Sequence, residues 1–230
     1  MKKLKLFICL LLLVEGNHLI AQKSIAPSIK AQEYLSDFRA KTISAMMKSS
    51  PEILEAYYSD SIRVMPELQK SLLGKNNAAA YSRAFLERFQ VKNYQRSAIE
   101  ISDLGSQILE IGEMSMTLVL KGTGEEFDIK GAYFDLWLEQ ANGDLKLLTQ
   151  CWNYDQYYTD LHPHLAFHDL PGTHIALLPN INITDDLSLQ ITAYGRFLDA
   201  VVTEHNAVGW AQFYSDDAML VTNYHPPYKE

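Results

Sequence analysis

The sequence predicts an α+β fold in which helices pack on one face of a curved antiparallel sheet. Two observations predict it. Residues 31–48 and 76–89 carry apolar side chains at helical spacing. From residue 94 the pattern changes to the alternation of β-strands, with short glycine-containing separators. Because helices come first and a long meander of strands follows, the order indicates an α+β domain.

The elements follow from local signals. Pro51 favours a helix start, Pro66 ends a strand, and Asn142-Gly143 is a strong hairpin signal. In chain order, the pattern predicts a helix over 31–48, a short helix from Pro51 to near Tyr58, a strand over 61–65, a helix over 76–89, and strands over 95–102, 107–120, 127–139 and 144–154.

The N-terminus has the pattern of a secretory signal peptide. A basic start, Met1-Lys2-Lys3-Leu4-Lys5, precedes an apolar stretch over 6–14, which is too short to span a bilayer. A candidate cleavage site follows near Ala21-Gln22. We therefore expect an exported protein of a bacterial envelope, periplasmic or extracellular, with no transmembrane segment after removal of residues 1–22.

The charge and cysteine content exclude two classes of protein. Without residues 1–22 the chain has 17 basic and 27 acidic residues, so its net charge is about −10. Such an acidic chain is not expected to bind nucleic acid. Of the two cysteines only Cys151 remains, so an internal disulfide cannot form. We expect Cys151 to be a small buried hydrophobe.

A long-period repeat divides the chain. Residues 57–61, Tyr-Tyr-Ser-Asp-Ser, recur over 213–217 as Phe-Tyr-Ser-Asp-Asp, each after a helical pattern and before a β-rich run. This indicates a duplicated domain. The predicted organisation is a signal peptide over 1–22, a complete domain over 23–158, a linker over 159–184, and over 185–230 the truncated start of a second copy. That piece is too small to be stable alone, so we expect it to pack on the first domain or another chain, or the natural chain to be longer.

Several of these motifs together resemble the SnoaL-like domain of the nuclear transport factor 2 superfamily. They are 57–66, then Gly74 and a helix, then Gly131-Ala132-Tyr133-Phe134-Asp135-Leu136-Trp137, then a turn at Asn142-Gly143, and finally Trp152-Asn153. The resemblance implies a cone, in which a strongly curved antiparallel sheet wraps helices around an apolar pocket open at one end. The superfamily contains isomerases, dehydratases, epoxide hydrolases and cyclases as well as non-catalytic members, so the fold alone does not predict activity.

The resemblance also identifies positions where catalytic carboxylates are expected. In the isomerase branch an aspartate precedes a proline on the first strand, and here Met65 precedes Pro66. Many SnoaL-like sequences carry His-Asp shortly before the last strand's tryptophan, where this chain has Thr149-Gln150. Methionine and glutamine cannot act as general bases. The loss of these carboxylates favours a non-catalytic protein.

Asp135 is the remaining candidate for a general acid or base. It alternates with Tyr133 and Trp137, so the three share one face of a strand. On the concave face the pKa of Asp135 would rise. The alternative is that Asp135 points outward or pairs with an arginine such as Arg63 or Arg83.

The expected ligand pocket combines aromatic side chains with few polar groups. Its predicted members are Tyr58, Met65, Tyr81, Phe85, Tyr133, Trp137, Gln150 and Trp152. Two readings stay open: the side chains line an accessible cavity, or they fill the cone as core. We expect no cofactor. Four histidines in the linker, His162, His164, His168 and His174, match no metal-binding spacing, and a solvated loop is expected.

The sequence therefore predicts an exported, non-catalytic SnoaL-like protein that binds a small apolar or aromatic molecule, or that serves as an association module. The alternative is an isomerase-, dehydratase- or cyclase-type enzyme that uses Asp135. Pairing through the outer sheet face would give a homodimer, or a pseudo-dimer of the two copies within one chain.

Overall fold

The computed structural model describes residues 25–173, 186–212, 214, 218–222 and 224–229. The predicted signal peptide and His174 lie outside these residues. The helices are α1 (Ile29–Met47), α2 (Glu52–Glu55), α3 (Lys75–Arg88), α4 (His162–Leu165), α5 (Asp186–Thr203) and α6 (Ala207–Ala211). None of the described helices combines the length and the apolar character needed to cross a membrane.

The strands are β1 (Tyr58–Met65), β2 (Leu72–Leu73), β3 (Phe89–Asp103), β4 (Gln107–Leu120), β5 (Glu126–Glu139), β6 (Leu145–Tyr154), β7 (Met219–Leu220) and β8 (Tyr228–Lys229). The first six form one sheet in the order β2-β1-β6-β5-β4-β3. Its pairs are antiparallel except β1 with β6, which are parallel. The predicted α+β cone is confirmed.

Local signals place the ends of α1 and α3. Ser28 precedes α1, and its hydroxyl accepts a hydrogen bond from the Ala31 N–H at 3.2 Å, as an N-cap does. Gly74 precedes α3 with a φ of +85°, a left-handed conformation that favours glycine. The predicted bounds of both helices differ from the observed ones by only one or two residues.

Strand β3 begins earlier than the predicted residue 95. Phe89 ends α3 in an extended conformation, and Phe89 and Val91 already face inward. The pairing of β3 with β4 then shifts between Val91 and Asn93, so Lys92 is an extra residue. Such a bulge breaks the strict alternation from which a strand is predicted. Beyond it, Tyr94 and Arg96 share the concave face.

The concave face of the sheet packs against α1 and α3. Trp137 on β5 is fully buried, with its ring centroid 4.6 Å from that of Phe38 on α1 in an edge-to-face arrangement. At the predicted Asn142-Gly143 turn, Gly143 has a φ of +79°, and the Gln140 N–H donates to the Asp144 carbonyl at 2.8 Å. Helix α1 therefore packs on the concave face of the sheet, against Trp137 of β5.

The C-terminal residues contact strand β6. The Tyr224 N–H donates to the Tyr154 carbonyl at 2.7 Å, and the Asn153 side chain donates to the Thr222 carbonyl. The β-rich run that the sequence shows after residue 217 contains the short strand β7, which pairs with β8 as a hairpin. The predicted linker contains α4, and Thr173 forms a β-bridge with Ser71.

Candidate functional site

The cone encloses a cavity between the concave sheet face, α1 and α3. Its volume for water-sized molecules is about 60 Å³, which is room for a few waters. The wall is mainly apolar and aromatic. Its members are Thr42, Met46, Leu54, Tyr58, Val64, Ala78, Tyr81, Ser82, Phe85, Tyr94, Arg96, Met114, Met116, Tyr133, Gln150, Trp152 and Tyr154. Side chains fill much of the cone, and a small space remains between them.

The structure brings six of the eight predicted pocket residues to this wall. They are Tyr58, Tyr81, Phe85, Tyr133, Gln150 and Trp152. Tyr81 is central, with its ring centroid 5.6 Å from that of Trp152. Burial is the main cause that raises the pKa of Tyr58 to about 12 and raises the pKa of Tyr81, so both hydroxyls stay protonated. These hydroxyls supply neutral hydrogen-bonding groups.

The two other predicted pocket residues lie elsewhere. Met65 is an odd number of residues from Tyr58 along β1, so the alternation of a strand turns it to the outer face. There it pairs with Cys151. Trp137 faces inward, but it lies two residues further along β5 than Asp135 and pairs with Leu147 of β6. At that position it packs under α1 as part of the core. Neither residue belongs to the cavity wall.

Asp135 lies behind the cavity and is held by two donors. Its side chain is fully buried and forms an ion pair with Arg96, whose side chain is 4% exposed. The Gln150 amide donates to the other carboxylate oxygen at 3.0 Å. Arg63 and Arg83, the partners considered from the sequence, do not contact it: Arg63 is exposed and Arg83 pairs with Glu55. Asp135 thus positions Arg96 and Gln150, and it is not part of the cavity wall.

A second buried carboxylate, Glu110, lies directly across from Asp135 on β4. Arg39 on α1 pairs with Glu110 at 3.0 Å, and the Tyr133 hydroxyl donates to it at 2.5 Å. Each carboxylate therefore has its own arginine. Burial, together with the repulsion of Glu110, raises the pKa of Asp135 to about 6 against the attraction of Arg96.

Sequence reasoning missed Glu110, and it also missed Arg96, a charged residue of the cavity wall. Its guanidinium carbon lies 3.6 Å from the centroid of the Tyr133 ring, a cation–π contact. Its Nε is buried and has no hydrogen-bond partner among the described residues. The signal available in the sequence was an arginine alternating with Tyr94 inside an otherwise apolar face. The bulge at Lys92 and the separation from Asp135 hid the pairing.

The remaining sequence candidates lie outside the cavity. His162 is buried with its ring centroid 3.8 Å from that of Tyr157, and burial lowers its pKa. Among the described residues, no group of three or more His, Cys, Asp or Glu side chains is placed to hold a metal ion. Cys151 is half-buried on the outer face, where burial raises the pKa of its thiol to about 11. The thiol is therefore protonated and weakly nucleophilic.

Comparison with solved structures shows that proteins of low sequence identity share this fold. A ketosteroid isomerase-like protein from Erwinia carotovora atroseptica superposes with a TM-score of 0.50 at 14% identity, over 54% of this chain and 96% of that one. A hexachlorocyclohexane dehydrochlorinase, LinA type 2, superposes with a TM-score of 0.52 at 11% identity, over 56% of this chain and 88% of that one. A conserved protein from Planctomyces limnophilus superposes with a TM-score of 0.50 at 11% identity, over 55% of this chain and 99% of that one. No protein-family model matches the sequence, and no curated protein is significantly similar to it.

Proposed function

We propose that this protein, whose first domain has the nuclear transport factor 2-like fold, is an exported binder of small, mainly apolar molecules. The observation that carries the proposal is the cavity inside the cone, walled by apolar and aromatic side chains with few polar groups. Ligand sites in proteins have this composition. Export rests on the basic and apolar pattern of residues 1–22.

The surroundings of Asp135 support a non-catalytic role. A general base needs a free oxygen within reach of the proton it removes. Both oxygens of Asp135 accept hydrogen bonds from other side chains, and the carboxylate lies behind the wall. Met65 faces away from the cavity and Gln150 cannot exchange a proton at neutral pH. The alternative, an enzyme that uses Asp135, predicts a turnover that Asp135→Asn abolishes.

The size of the cavity limits the ligand. A cavity of about 60 Å³ accepts only a very small molecule as the side chains stand. Three methionines in the wall, Met46, Met114 and Met116, have flexible side chains that can yield to a larger guest. The proposed ligands are therefore compact molecules, for which the methionines adjust without separation of the helices from the sheet.

The first experiment is native mass spectrometry of the protein purified from its natural source. We expect a mature N-terminus near Lys23 and a retained small molecule. The matched variants are Ala78→Leu, which fills the cavity, and Ala80→Leu on the same helix, which lies outside the wall. Only Ala78→Leu should lose the molecule. A ligand retained equally by both variants would contradict the cavity as its site, and a ligand-free dimer would favour the association module.

A further inference from the structure

The C-terminal part of the chain repeats the first four elements of the cone at one constant spacing. Helix α1 ends at Met47 and α5 ends at Thr203, which is 156 residues later. The short helices α2 and α6 end at Glu55 and Ala211, again 156 residues apart. The β7–β8 hairpin has the register of the β1–β2 pair, moved by the same 156 residues. The short repeat seen in the sequence therefore extends through two helices and two strands.

Unusual backbone conformations recur at the same spacing. The described non-glycine residues with a left-handed φ are Ser49 at +55° and His205 at +53°, and Leu68 at +64° and Tyr224 at +67°. The two residues of each pair are 156 positions apart. Non-glycine residues rarely adopt this conformation, so two coincidences at one spacing are not expected of unrelated segments. The described part of 186–229 thus has the local structure of the opening part of a second cone.

Helix α5 also repeats the core face of α1. The buried side chains of α1 are Ala31, Leu35, Phe38, Thr42 and Ala45. The positions 156 residues later hold Leu187, Ile191, Tyr194, Leu198 and Val201, so each is apolar or aromatic. The last four form what we call the α5 stripe. Because the spacing of the two sets is the same, the stripe lies on one face of α5, as the core face lies on one face of α1.

The two faces differ in how far they are covered. Leu35 and Phe38 of α1 are 0% and 1% exposed under the sheet. Their counterparts in the stripe, Ile191 and Tyr194, are 62% and 55% exposed. Val201, at the end of the stripe, is buried. A contiguous apolar face of this kind marks an interaction surface, and its match to α1 indicates what kind of surface covers it.

The cover that fits the stripe is a curved antiparallel sheet, because such a sheet covers α1. A second copy of this chain does not supply it, since the concave face of each copy already holds its own α1. The charges agree with this. Arg39 of α1 pairs with the buried Glu110 at 3.0 Å, whereas the position equivalent to Arg39 is Gly195. The sheet of this chain would leave Glu110 buried opposite Gly195 without a cation, which is unfavourable.

We infer that the α5 stripe is the seat of a second curved antiparallel sheet, with an apolar concave face and no carboxylate opposite Gly195, carried by the same polypeptide in a segment that follows residue 230. In the first cone, α3 and the strands β3 to β6 come directly after β2. The same order after β8 places the second sheet in that segment. The complete protein then has two cones, and this conclusion does not depend on ligand binding in the first.

The test uses the protein made from its natural gene in its natural host. Its intact mass should show a polypeptide that continues past residue 230 by about the length of residues 75–154. Tyr194→benzoylphenylalanine, a photo-crosslinking variant, should link to a residue of that added segment within the same polypeptide. Arg196→benzoylphenylalanine is the matched control, because helical geometry places Arg196 on the opposite side of α5, where it is exposed. It should not link to that segment.

Thiol labelling gives a second readout with a smaller side chain. In the same full-length protein, Ile191→Cys should react with a maleimide severalfold more slowly than Arg196→Cys, with the wild type giving the background from Cys151. A polypeptide that ends at residue 230 would overturn the inference. So would a cross-link from position 194 to a second copy or to another protein, the absence of any cross-link to the added segment, or equal labelling of the two introduced cysteines.

Discussion

Replacing Arg96 by methionine tests whether the guanidinium of Arg96 stabilises the folded protein by compensating the buried negative charge of Asp135. Both side chains are almost completely excluded from water, at 4% and 0% exposure. Removing one member of such a pair leaves the other buried and unpaired, at a cost of about 3–5 kcal/mol. With a denaturant slope of about 2 kcal/mol per molar urea, the unfolding midpoint should fall by roughly 1.5–2.5 M.

The measurement is urea unfolding followed by circular dichroism, with two comparison variants. Arg63→Met removes an exposed arginine from β1 and should change stability by less than about 0.5 kcal/mol. Arg96→Met/Asp135→Leu removes both charges and should recover most of the loss, because no charge is left buried. A loss below about 1 kcal/mol in Arg96→Met would refute the reasoning.

The pH dependence provides a second check on the same pair. The pKa of Asp135 is raised in the folded state to about 6 from an ordinary value of 3.8, so the folded protein binds the proton more readily than the unfolded chain. Its contribution to stability therefore increases as the pH falls from about 6 to about 4. Without the guanidinium this gain should begin at a higher pH, so the deficit of Arg96→Met should shrink between pH 7.5 and pH 5.5. A deficit that does not change with pH would contradict this account.

Three further predictions concern the frame of the site. In Gly131→Ala the new Cβ would lie 2.0 Å from the Asn153 carbonyl oxygen, so urea unfolding should show a loss of at least about 1–3 kcal/mol, whereas Gly122→Ala, with open space around it, should be nearly neutral. Trp137→Ala should cost about 3–5 kcal/mol, and Trp137→Phe clearly less, because the indole N–H has no described partner; equal costs would contradict this packing. Asn153→Ala removes the hydrogen bond to the Thr222 carbonyl, so hydrogen exchange over 218–225 should accelerate by roughly fivefold or more, with Asn142→Ala unaffected there.

The architecture was predictable because its signals are local. Helical spacing fixed α1 and α3, and the Asn142-Gly143 turn fixed the β5–β6 hairpin within a residue or two. The face of the sheet on which each side chain lies was harder to predict. Counting by twos from Tyr58 would have placed Met65 outside, and a bulge at Lys92 was needed to bring Arg96 inward. Register shifts of this kind depend on neighbouring strands and leave little trace in a single sequence.

The chemistry of the site depended on pairings across the sheet. Asp135 was identified as a buried polar residue, but its partner Arg96 comes from two strands away in the sheet. The opposition of Glu110 and Asp135 follows only from the β4–β5 register. The residue types suggested an acid or base, whereas their contacts indicate that Asp135 orients an arginine.

The most direct test of ligand binding in the cone is methyl NMR of the protein labelled on its methionines. Met46, Met114 and Met116 line the cavity, whereas Met65 on the outer face is an internal control. On titration with compact, mainly apolar molecules, the account predicts saturable shifts of the first three methyl signals and none at Met65. Shifts confined to Met65, or no saturable shift at the three cavity methionines, would contradict the claim that this cone is a ligand site.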